Sequence, residues 1–566
     1  MSTVVEKRIS AVSQFKFRKN DIIGSADAAD DAAFLSTCFV DSGDLEILRD
    51  TNDKRRIVVG RTGVGKTALL QRLIAVEPRT IELPPENLAF EYLSNSTILP
   101  WLIQQGVDLD LFFKLLWRHV LAIELLRARF GTPNEHRTGY SLSVGERIKE
   151  LVTGNKKLSG ALDYLRKWAG ESFWQETDHR IREVTSVFEQ SIKSDSALAA
   201  ALAAPGVRVT AKVGGAATSL QRSEEKTDVA HRAQSIVNSI QMRELTNVLE
   251  LVNAVLDDPQ KKYFVVIDRL DERWVADDLK NLLLRALIET AKDFRKVQNA
   301  KIVIALRRDL FERVVHETRD SGFQAEKYRD QFLEVRWLDS QLRELVDRRV
   351  SQLVASRYTS RPVGLADLLP ARIHGRGKDR DGVDYFVSRA MHRPRNAIMF
   401  FNECITKAAG EPQISKQVLL KAEADYSKSR LDALYDEWFA QFPNLVLAVE
   451  LLRRRRHKLR LVDLCDQQAA EAFLDCCTRA AVEDRLSEIA RDVCEQPSRM
   501  QDAARRVTAV LFLVGIVGLK PQRAESTRWS DSDMWTDQEP LVDDDTGITV
   551  HPAYRRALEV DDSDGR

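Results

Sequence analysis

Short runs of β-branched and aromatic residues, separated by segments with apolar residues at helical spacing, dominate the first part of the chain. Apolar runs at Ile57–Val59, Tyr263–Asp268, Lys301–Asp309 and Gln331–Leu338 have the length and composition of buried strands. A further strand with a turn is predicted within Arg79–Tyr92. Strand-length runs that alternate with helical patterns indicate an α/β fold, with a doubly wound, mainly parallel sheet covered by helices on both faces.

The segment GRTGVGKT, residues 60–67, lies between the Ile57–Val59 strand and an apolar helix. It matches the four fixed positions of the GxxxxGK[ST] phosphate-binding loop (P-loop), in the strand–loop–helix setting that this motif requires. In such a loop, backbone N–H groups surround the phosphates, Lys66 reaches the β- and γ-phosphates, and Thr67 binds Mg²⁺. A chance glycine turn before a helix is the alternative. The expected phosphate-binding residues are Gly60, Arg61, Thr62, Gly63, Val64, Gly65, Lys66, Thr67 and Ala68.

An acidic segment follows the strand Tyr263–Asp268. Asp268, Asp271 and Glu272 lie just beyond the carboxyl end of that strand, where doubly wound sheets bind their ligands. An ordinary buried strand with a solvated acidic turn is the alternative. Lys66 and Asp268 are 202 positions apart, so the helical block between them is predicted to be an insertion within a nucleotide-binding core.

The segments beyond Leu338 are predicted to be mainly helical. Asp339 is expected to cap the first of these helices, and Pro394 suits the first turn of a later one. From Met500, a helix, the strand-like STRWSDSDMW, an acidic turn and the strand GITV give the outline of a winged-helix region. The predicted domains are an N-terminal segment with the first half of the P-loop core (1–99), a mainly helical insertion (100–256), the second half of the core (257–340), a helical lid (341–425) and a helical, winged-helix-like C-terminal region (426–566).

Composition excludes several classes of protein. The chain has 85 Lys+Arg and 85 Asp+Glu among 566 residues, so no overall basic field favours a nucleic-acid coat protein. The longest apolar stretch, Val507–Leu519, is shorter than the ~20 residues that a membrane-spanning helix needs. Because of that length, no membrane is expected as a partner. Six cysteines without a CxxC pair or a histidine at zinc spacing favour a protein of the reduced cytoplasm.

The order of these motifs resembles that of the P-loop ATPases of the additional-strand class, particularly the STAND switches and their AAA+ and KAP relatives. The motif VVIDRLDE is similar to the second acidic motif of STAND proteins. The resemblance implies an ATPase that uses ATP and Mg²⁺, with Asp268 in the water shell of the metal and Asp271 or Glu272 polarising the attacking water.

The same resemblance assigns roles to residues outside these two motifs. Arg307 matches the γ-phosphate-sensing arginine that ends the fourth strand of STAND ATPases, and the adjacent Arg308 leaves the register open by one. Arg319 lies where AAA+ relatives place an arginine finger that acts on a neighbouring subunit, and an ordinary surface arginine fits that position equally well. Arg395 and Pro394 resemble the sensor arginine and the adenine-contacting proline of a helical lid, with a simple helix start as the alternative.

The C-terminal motif VHPAYRRAL, Val550–Leu558, is similar to the winged-helix motif whose histidine contacts the β-phosphate of ADP. That resemblance implies that His551 binds nucleotide, although Pro552 replaces the usual acid. A histidine that caps the final helix is the alternative.

A large group of poorly characterised bacterial P-loop ATPases is also similar, since its members share segments like DIIGSADAADDAAFLSTCF, LWRHV and IDxLDExW. Several of them lie in anti-phage or mobile-element settings, which implies a role in antiviral defence. The first functional hypothesis is therefore an ATP-driven conformational switch. It would form a homo-oligomer and sense a protein effector or another ligand through the insertion at 100–256.

The second hypothesis is a DNA-handling ATPase, such as a loader or initiator. It is supported by the basic segment RRRRHKLR, Arg453–Arg460, although a solvated basic helix face paired to nearby acids is the favoured interpretation of that segment. The acidic C-terminal segment SDSDMWTDQEPLVDDD counts against it, so nucleic acid is the less favoured partner. A small-molecule kinase is a third and weaker hypothesis, because no separate acceptor pocket is recognisable.

Overall fold

A computed structural model describes residues 15–85, 98–104, 107–130, 189–190, 192–196, 199, 244–317, 325–358, 362–373, 379–521, 526–530 and 542–562. The strands are β1 Ile57–Gly60, β2 Thr80–Glu82, β3 Tyr263–Ile267, β4 Ala300–Arg307, β5 Phe332–Glu334, β6 Arg372–Ile373, β7 Arg380–Asp381, β8 Lys458–Arg460, β9 Val517–Lys520 and β10 Gly547–Val550. The helices are α1 Ala32–Cys38, α2 Asp44–Arg49, α3 Lys66–Val76, α4 Ile98–Gln104, α5 Asp110–Phe130, α6 Glu244–Val255, α7 Asp277–Asp293, α8 Arg308–Glu317, α9 Asp339–Arg357, α10 Leu365–Leu368, α11 Gly382–Val387, α12 Pro394–Lys407, α13 Lys416–Trp438, α14 Leu445–Val449, α15 Gln467–Arg479, α16 Arg485–Glu495 and α17 Met500–Val514.

The chain divides into two compact units, each formed by segments that are distant in sequence. The α/β unit comprises Gly43–Val59 and Leu69–Glu334, and the C-terminal unit comprises Met1–Ser42, Gly60–Ala68 and Val335–Arg566. The P-loop therefore belongs to the C-terminal unit, although the strand that leads into it belongs to the α/β unit. The boundaries of the five domains expected from the sequence stay predictions.

The α/β unit is built on a five-stranded, all-parallel sheet with the strand order β2-β3-β4-β1-β5. Every residue of β3 is buried, as the continuous apolar run YFVVI requires for a strand covered on both faces. Helix α5 packs against α6, α7 and β3. The Nε1–H of Trp117 donates to the Leu283 carbonyl at 2.9 Å, which joins α5 to α7. The predicted α/β class and parallel sheet are thus confirmed, and two helices from the 100–256 segment contribute to this core.

The C-terminal unit has a helical core made by α9 to α13 and a small sheet further along the chain. Phe400 stacks between Phe386 and Tyr426, at ring-centroid distances of 5.0 and 4.6 Å. A fully buried ion pair joins Arg389 to Glu423 of α13 at 2.7 Å. The predicted Asp cap of α9 is wrong, because Leu338 precedes the helix and its N–H donates to Gln341 Oε1 at 2.9 Å.

The last part of the C-terminal unit combines α14 to α17 with a three-stranded antiparallel sheet of order β8-β10-β9. Lys458–Arg460, expected on a helix face, is the strand β8. Of the strand expected at STRWSDSDMW, the described residues show an isolated bridge from Arg528 to Leu519 of β9, Val517–Lys520. Residues 531–541 lie outside the described part of the chain. None of the helices in the described part combines the length and hydropathy needed to cross a bilayer.

Candidate functional site

The P-loop leaves the buried strand β1 and ends where α3 begins at Lys66. Gly63 and Gly65 have φ values of +79° and +97°, a left-handed backbone that L-residues with side chains rarely adopt. The glycine spacing in the motif therefore corresponds to a real conformational requirement. The predicted strand, loop and helix are all present.

Lys66 is held inside its own loop. Its Nζ donates to the carbonyls of Gly60 at 2.9 Å and Arg61 at 3.1 Å, and the residue is only 9% exposed. The ammonium group is thus fixed beside the turn whose backbone would surround a phosphate. Thr67, the predicted Mg²⁺ ligand, is half-buried and follows directly in α3.

The first turn of α12 is seated on the P-loop within the C-terminal unit. The backbone N–H of Arg395 donates to the Gly63 carbonyl at 3.2 Å. A Cβ at Gly63 would lie 2.9 Å from the Arg395 Cβ, and one at Gly65 would lie 3.9 Å from Pro394 Cγ. Trp337 adds a bond from Nε1 to the Val64 carbonyl at 2.8 Å. The structure therefore brings both predicted lid residues, Pro394 and Arg395, to the loop.

A cavity of about 340 Å³ with a mixed polar and apolar lining adjoins this contact, and residues of the P-loop, α12 and α13 contribute to that lining. Arg393, which lines it, pairs with Glu437 at 3.4 Å. Asn396 Nδ2 and Thr62 Oγ1 are buried there without a hydrogen-bond partner among the described residues. These donors suit a ligand rich in oxygen acceptors.

The backbone just before α12 is strained. Met391 and His392 are consecutive non-glycine residues with φ values of +56° and +51°. Such conformations are costly, and they cluster where a structure holds a functional segment in place. Here the strained pair directly precedes the helix start that contacts the P-loop.

Arg61, the second residue of the loop, is expected from the sequence only as a general phosphate-binding position. Its side chain instead donates to the Val514 carbonyl at 2.9 Å, to the Leu513 carbonyl and to Ser530 Oγ at 2.5 Å. No local pattern predicts this anchoring, because its partners are more than 450 positions away.

His551 lies at the start of a 3₁₀ turn, Pro552–Tyr554, and its Nδ1 accepts from the Ala553 N–H at 3.2 Å. Its ring meets Trp529 edge-on at 4.7 Å. The contact with the Ala553 N–H is the capping role that the sequence offered as the alternative for His551. His551 also lines a small cavity of about 20 Å³ together with Arg61.

The acidic segment belongs to the α/β unit and follows β3. Asp268 Oδ1 accepts from the N–H of Arg269 at 2.9 Å, and Arg269 has a φ of +61°. Lys280 Nζ donates to the backbone carbonyls of Asp271 at 3.0 Å and Glu272 at 2.7 Å. These contacts hold the backbone of the turn, while the Asp271 and Glu272 side chains remain exposed.

Arg307, at the end of β4, reaches this turn. Its Nη1 lies 3.3 Å from Asp271 Oδ2, and its Nη2 lies 2.9 Å from Asp309. Arg308 is buried and pairs with Glu312 at 2.9 Å on its own helix. Of the two neighbouring arginines, Arg307 is therefore the one beside the acids. Arg319 lies outside the described residues.

Within the described ranges, no group of three or more His, Cys, Asp or Glu side chains is arranged to hold a metal ion. The oxygen donors of Thr67 and Asp268 have the chemistry that Mg²⁺ prefers, since this ion binds through one or two protein ligands together with substrate phosphates. Both assignments stay predictions.

Comparison with known proteins gives a match to one helical domain and a distant similarity to one protein over most of the chain. Residues 340–435 match the FunZ-associated C-terminal helical domain. This match spans α9 to almost the end of α13, which is much less than half of the chain and excludes the P-loop. Across 96% of its length, the chain is similar to a putative transposon gamma-delta 80.3 kDa protein of Escherichia coli (strain K12), with 20% identity over 569 residues and 67% of that protein covered.

Proposed function

We propose that this protein binds ATP with Mg²⁺ through residues 60–68, hydrolyses it, and works as a nucleotide-dependent conformational switch. One observation carries the proposal: a glycine loop with two left-handed glycines encloses the Lys66 ammonium and meets the first turn of α12. A preformed loop of this kind provides backbone donors and a cation for a chain of phosphates.

The hydrolytic part of the proposal rests on the α/β unit. In the sheet, β4 lies between β1 and β3, and parallel strands end at a common edge, so the strand that leads to the P-loop and the strand that leads to the acids end on the same side. The insertion of β4 agrees with an additional-strand arrangement. Asp271 or Glu272 would orient the attacking water, and Arg307 would neutralise developing negative charge.

The switch part of the proposal rests on the C-terminal unit. The lid helix α12 belongs to the segment that matches an independently defined helical domain, and its first turn already contacts the loop. The β8-β10-β9 sheet, with α15 to α17 between β8 and β9 in the chain, supports the winged-helix interpretation. Nucleotides can drive the switch only if ATP and ADP bind its two states unequally. Self-association and effector sensing through residues 100–256 are part of this proposal.

A DNA-handling role is the second candidate, because the similar Escherichia coli protein is named as a transposon protein. The basic segment supports it only weakly. Arg453 pairs with Glu450 at 2.7 Å, Arg454 with Glu559 at 2.8 Å, and Arg455 with Asp466 at 2.7 Å. Charges already neutralised by internal acids release fewer counterions from DNA.

The direct test of the proposed activity is Lys66→Ala, measured by calorimetric titration with Mg-ATP and by phosphate release. Loss of a charged hydrogen-bond donor should weaken binding by roughly 10- to 100-fold. Lys54→Ala is the matched control, because Lys54 is 59% exposed and pairs with Asp330 on the surface. Equal Mg-ATP affinity of wild type and Lys66→Ala would contradict the proposal.

A further inference from the structure

The Arg61 side chain joins the P-loop to the C-terminal end of α17. Arg61 is 7% exposed, and its Nη1 and Nη2 donate to the last two carbonyls of that helix, those of Val514 and Leu513. Carbonyls in the last turn of a helix have no partner within the helix and carry the negative end of its dipole. A buried guanidinium is therefore well matched to this helix end.

Gly515 provides the space for this contact. It has a φ of +88°, and a Cβ on it would lie 2.2 Å from Arg61 Nη1. The N–H groups of Gly515 and Ile516 close the helix by donating to the carbonyls of Phe512 at 2.9 Å and Leu511 at 3.0 Å. The helix end, the glycine and Ser530 Oγ thus form a socket for one side chain.

The socket lies at the base of the small sheet. Directly after Ile516 the chain enters β9, which pairs with β10. The N–H of His551, the residue after β10, donates to the Ile516 carbonyl at 2.9 Å. Any displacement of the Arg61 side chain therefore acts on the connection between α17 and both of these strands.

The backbone of Arg61 is bound at the same time, because its carbonyl accepts from Lys66 Nζ at 3.1 Å. A triphosphate that draws the Lys66 ammonium towards its own oxygens removes that contact. Two parts of Arg61 would therefore respond to different changes. Its carbonyl loses a contact when phosphate binds, and its guanidinium depends on the position of the small sheet.

The geometry points to Arg61 as a positioning residue that couples phosphate binding in the P-loop to the α17–β9 connection. This inference rests on the proposed nucleotide binding and adds a specific route for its regulation. The socket stabilises the arrangement of the loop in which Lys66 Nζ donates to the loop's own carbonyls. Binding of ATP weakens the contacts of the Arg61 side chain in the socket. Coupling is reciprocal, so weakening the socket strengthens ATP binding.

The experiment combines calorimetric titration with hydrogen exchange of the full chain, without nucleotide and with Mg-ATP. In wild type, Mg-ATP should accelerate exchange at the Gly515 and Ile516 amides by roughly fivefold or more. Arg61→Ala should remove this nucleotide-dependent difference and bind Mg-ATP roughly fivefold more tightly. A purely structural arginine would give the opposite change in affinity.

Gly515→Ala disrupts the socket without changing a residue of the P-loop. It replaces Arg61→Ala as the test if that variant does not fold. Gly410→Ala is its matched control, because Gly410 has a φ of +90° and its Cβ would meet no atom of the described residues within 4 Å. Gly515→Ala should reproduce the tighter Mg-ATP binding, and Gly410→Ala should not. An affinity for Mg-ATP that is unchanged or weaker in both Arg61→Ala and Gly515→Ala would overturn the coupling alone. A full nucleotide-dependent difference in hydrogen exchange in either variant would do the same. Absence of Mg-ATP binding by wild type would overturn the proposed function and the coupling with it.

Discussion

The P-loop and the acidic segment after β3 both follow buried strands, yet their charged side chains are held very differently. Arg61 and Lys66 are 7% and 9% exposed and bond to backbone carbonyls within the C-terminal unit. The side chains of Asp271 and Glu272 in the α/β unit are 39% and 54% exposed. The proposed binding residues are thus preorganised, while the proposed catalytic acids depend on other groups to orient them. Substitutions should therefore separate binding from turnover.

The largest expected effect is on turnover, in one of the two variants Asp271→Asn and Glu272→Gln. Removal of the carboxylate that orients water should lower the rate of ATP hydrolysis by about 100-fold or more. Binding of Mg-ATP should change by less than about threefold, since neither exposed side chain belongs to the loop. Glu250→Gln, an exposed acid on α6, is the control. Full turnover in both acid variants with ATP still bound would show that the catalytic assignment is wrong.

A smaller effect is expected for Gly63→Ala. The substitution forces a side chain into a left-handed backbone, which costs about 1–2 kcal/mol, and it also places a Cβ 2.9 Å from the Arg395 Cβ. Gly43→Ala shares the backbone cost, because Gly43 has a φ of +87°, and its Cβ would have open space among the described residues.

Thermal unfolding should show that the cost of a side chain on a left-handed backbone destabilises Gly63→Ala and Gly43→Ala by similar amounts. Only Gly63→Ala should also weaken Mg-ATP binding in a calorimetric titration. If Gly43→Ala weakened ATP binding equally, the contact between Gly63 and α12 would have no bearing on the site.

A pH effect of intermediate size is expected in the α/β unit, away from the loop. Burial lowers the pKa of Lys301 to about 7, and the charge of Arg56 acts in the same direction. The neutral amine donates to the carbonyls of Ile47 at 2.6 Å and Asp50 at 2.8 Å. Because the unfolded chain binds this proton more tightly, the contribution of Lys301 to stability falls as the pH drops from about 10 towards 7.

The measurement is urea unfolding of wild type and Lys301→Met at pH 9 and pH 7. The stability of the variant relative to wild type should rise by about 2 kcal/mol on going to pH 7. A pH-independent difference would show that Lys301 keeps its proton in the folded chain.

The smallest effect is expected at the basic segment. Arg454 pairs with Glu559 at 2.8 Å and is 73% exposed, and such surface pairs contribute at most about 1 kcal/mol. Arg454→Ala should leave unfolding and ATP turnover nearly unchanged. Retention of wild type on DNA should be weak and should survive charge reversal of Arg453–Arg456 without change. Salt-sensitive retention that this reversal abolishes would instead favour the DNA-handling hypothesis.

Local patterns are enough to predict the strand–loop–helix at residues 57–67 and the buried strand at Tyr263, because each depends on neighbouring residues. The helix expected at RRRRHKLR is wrong, since the β structure of this segment is decided by pairing with β10 about 90 positions later. Val507–Leu519 is one apolar run in the sequence, although the left-handed Gly515 divides it into α17 and β9. Gly515 is the feature of the sequence that indicates this break between helix and strand. The Arg61 socket leaves no sequence pattern at all.

The central claim, a switch driven by nucleotide, is tested most directly by the mass and hydrodynamic radius of the full chain. Light scattering coupled to sedimentation velocity should be run without nucleotide, with Mg-ADP and with Mg-ATP, using whichever of Asp271→Asn and Glu272→Gln slows turnover to prolong the ATP-bound state. We predict that Mg-ATP gives a mass or a radius different from those of the other two conditions. Identical mass and shape in all three conditions would contradict the switch.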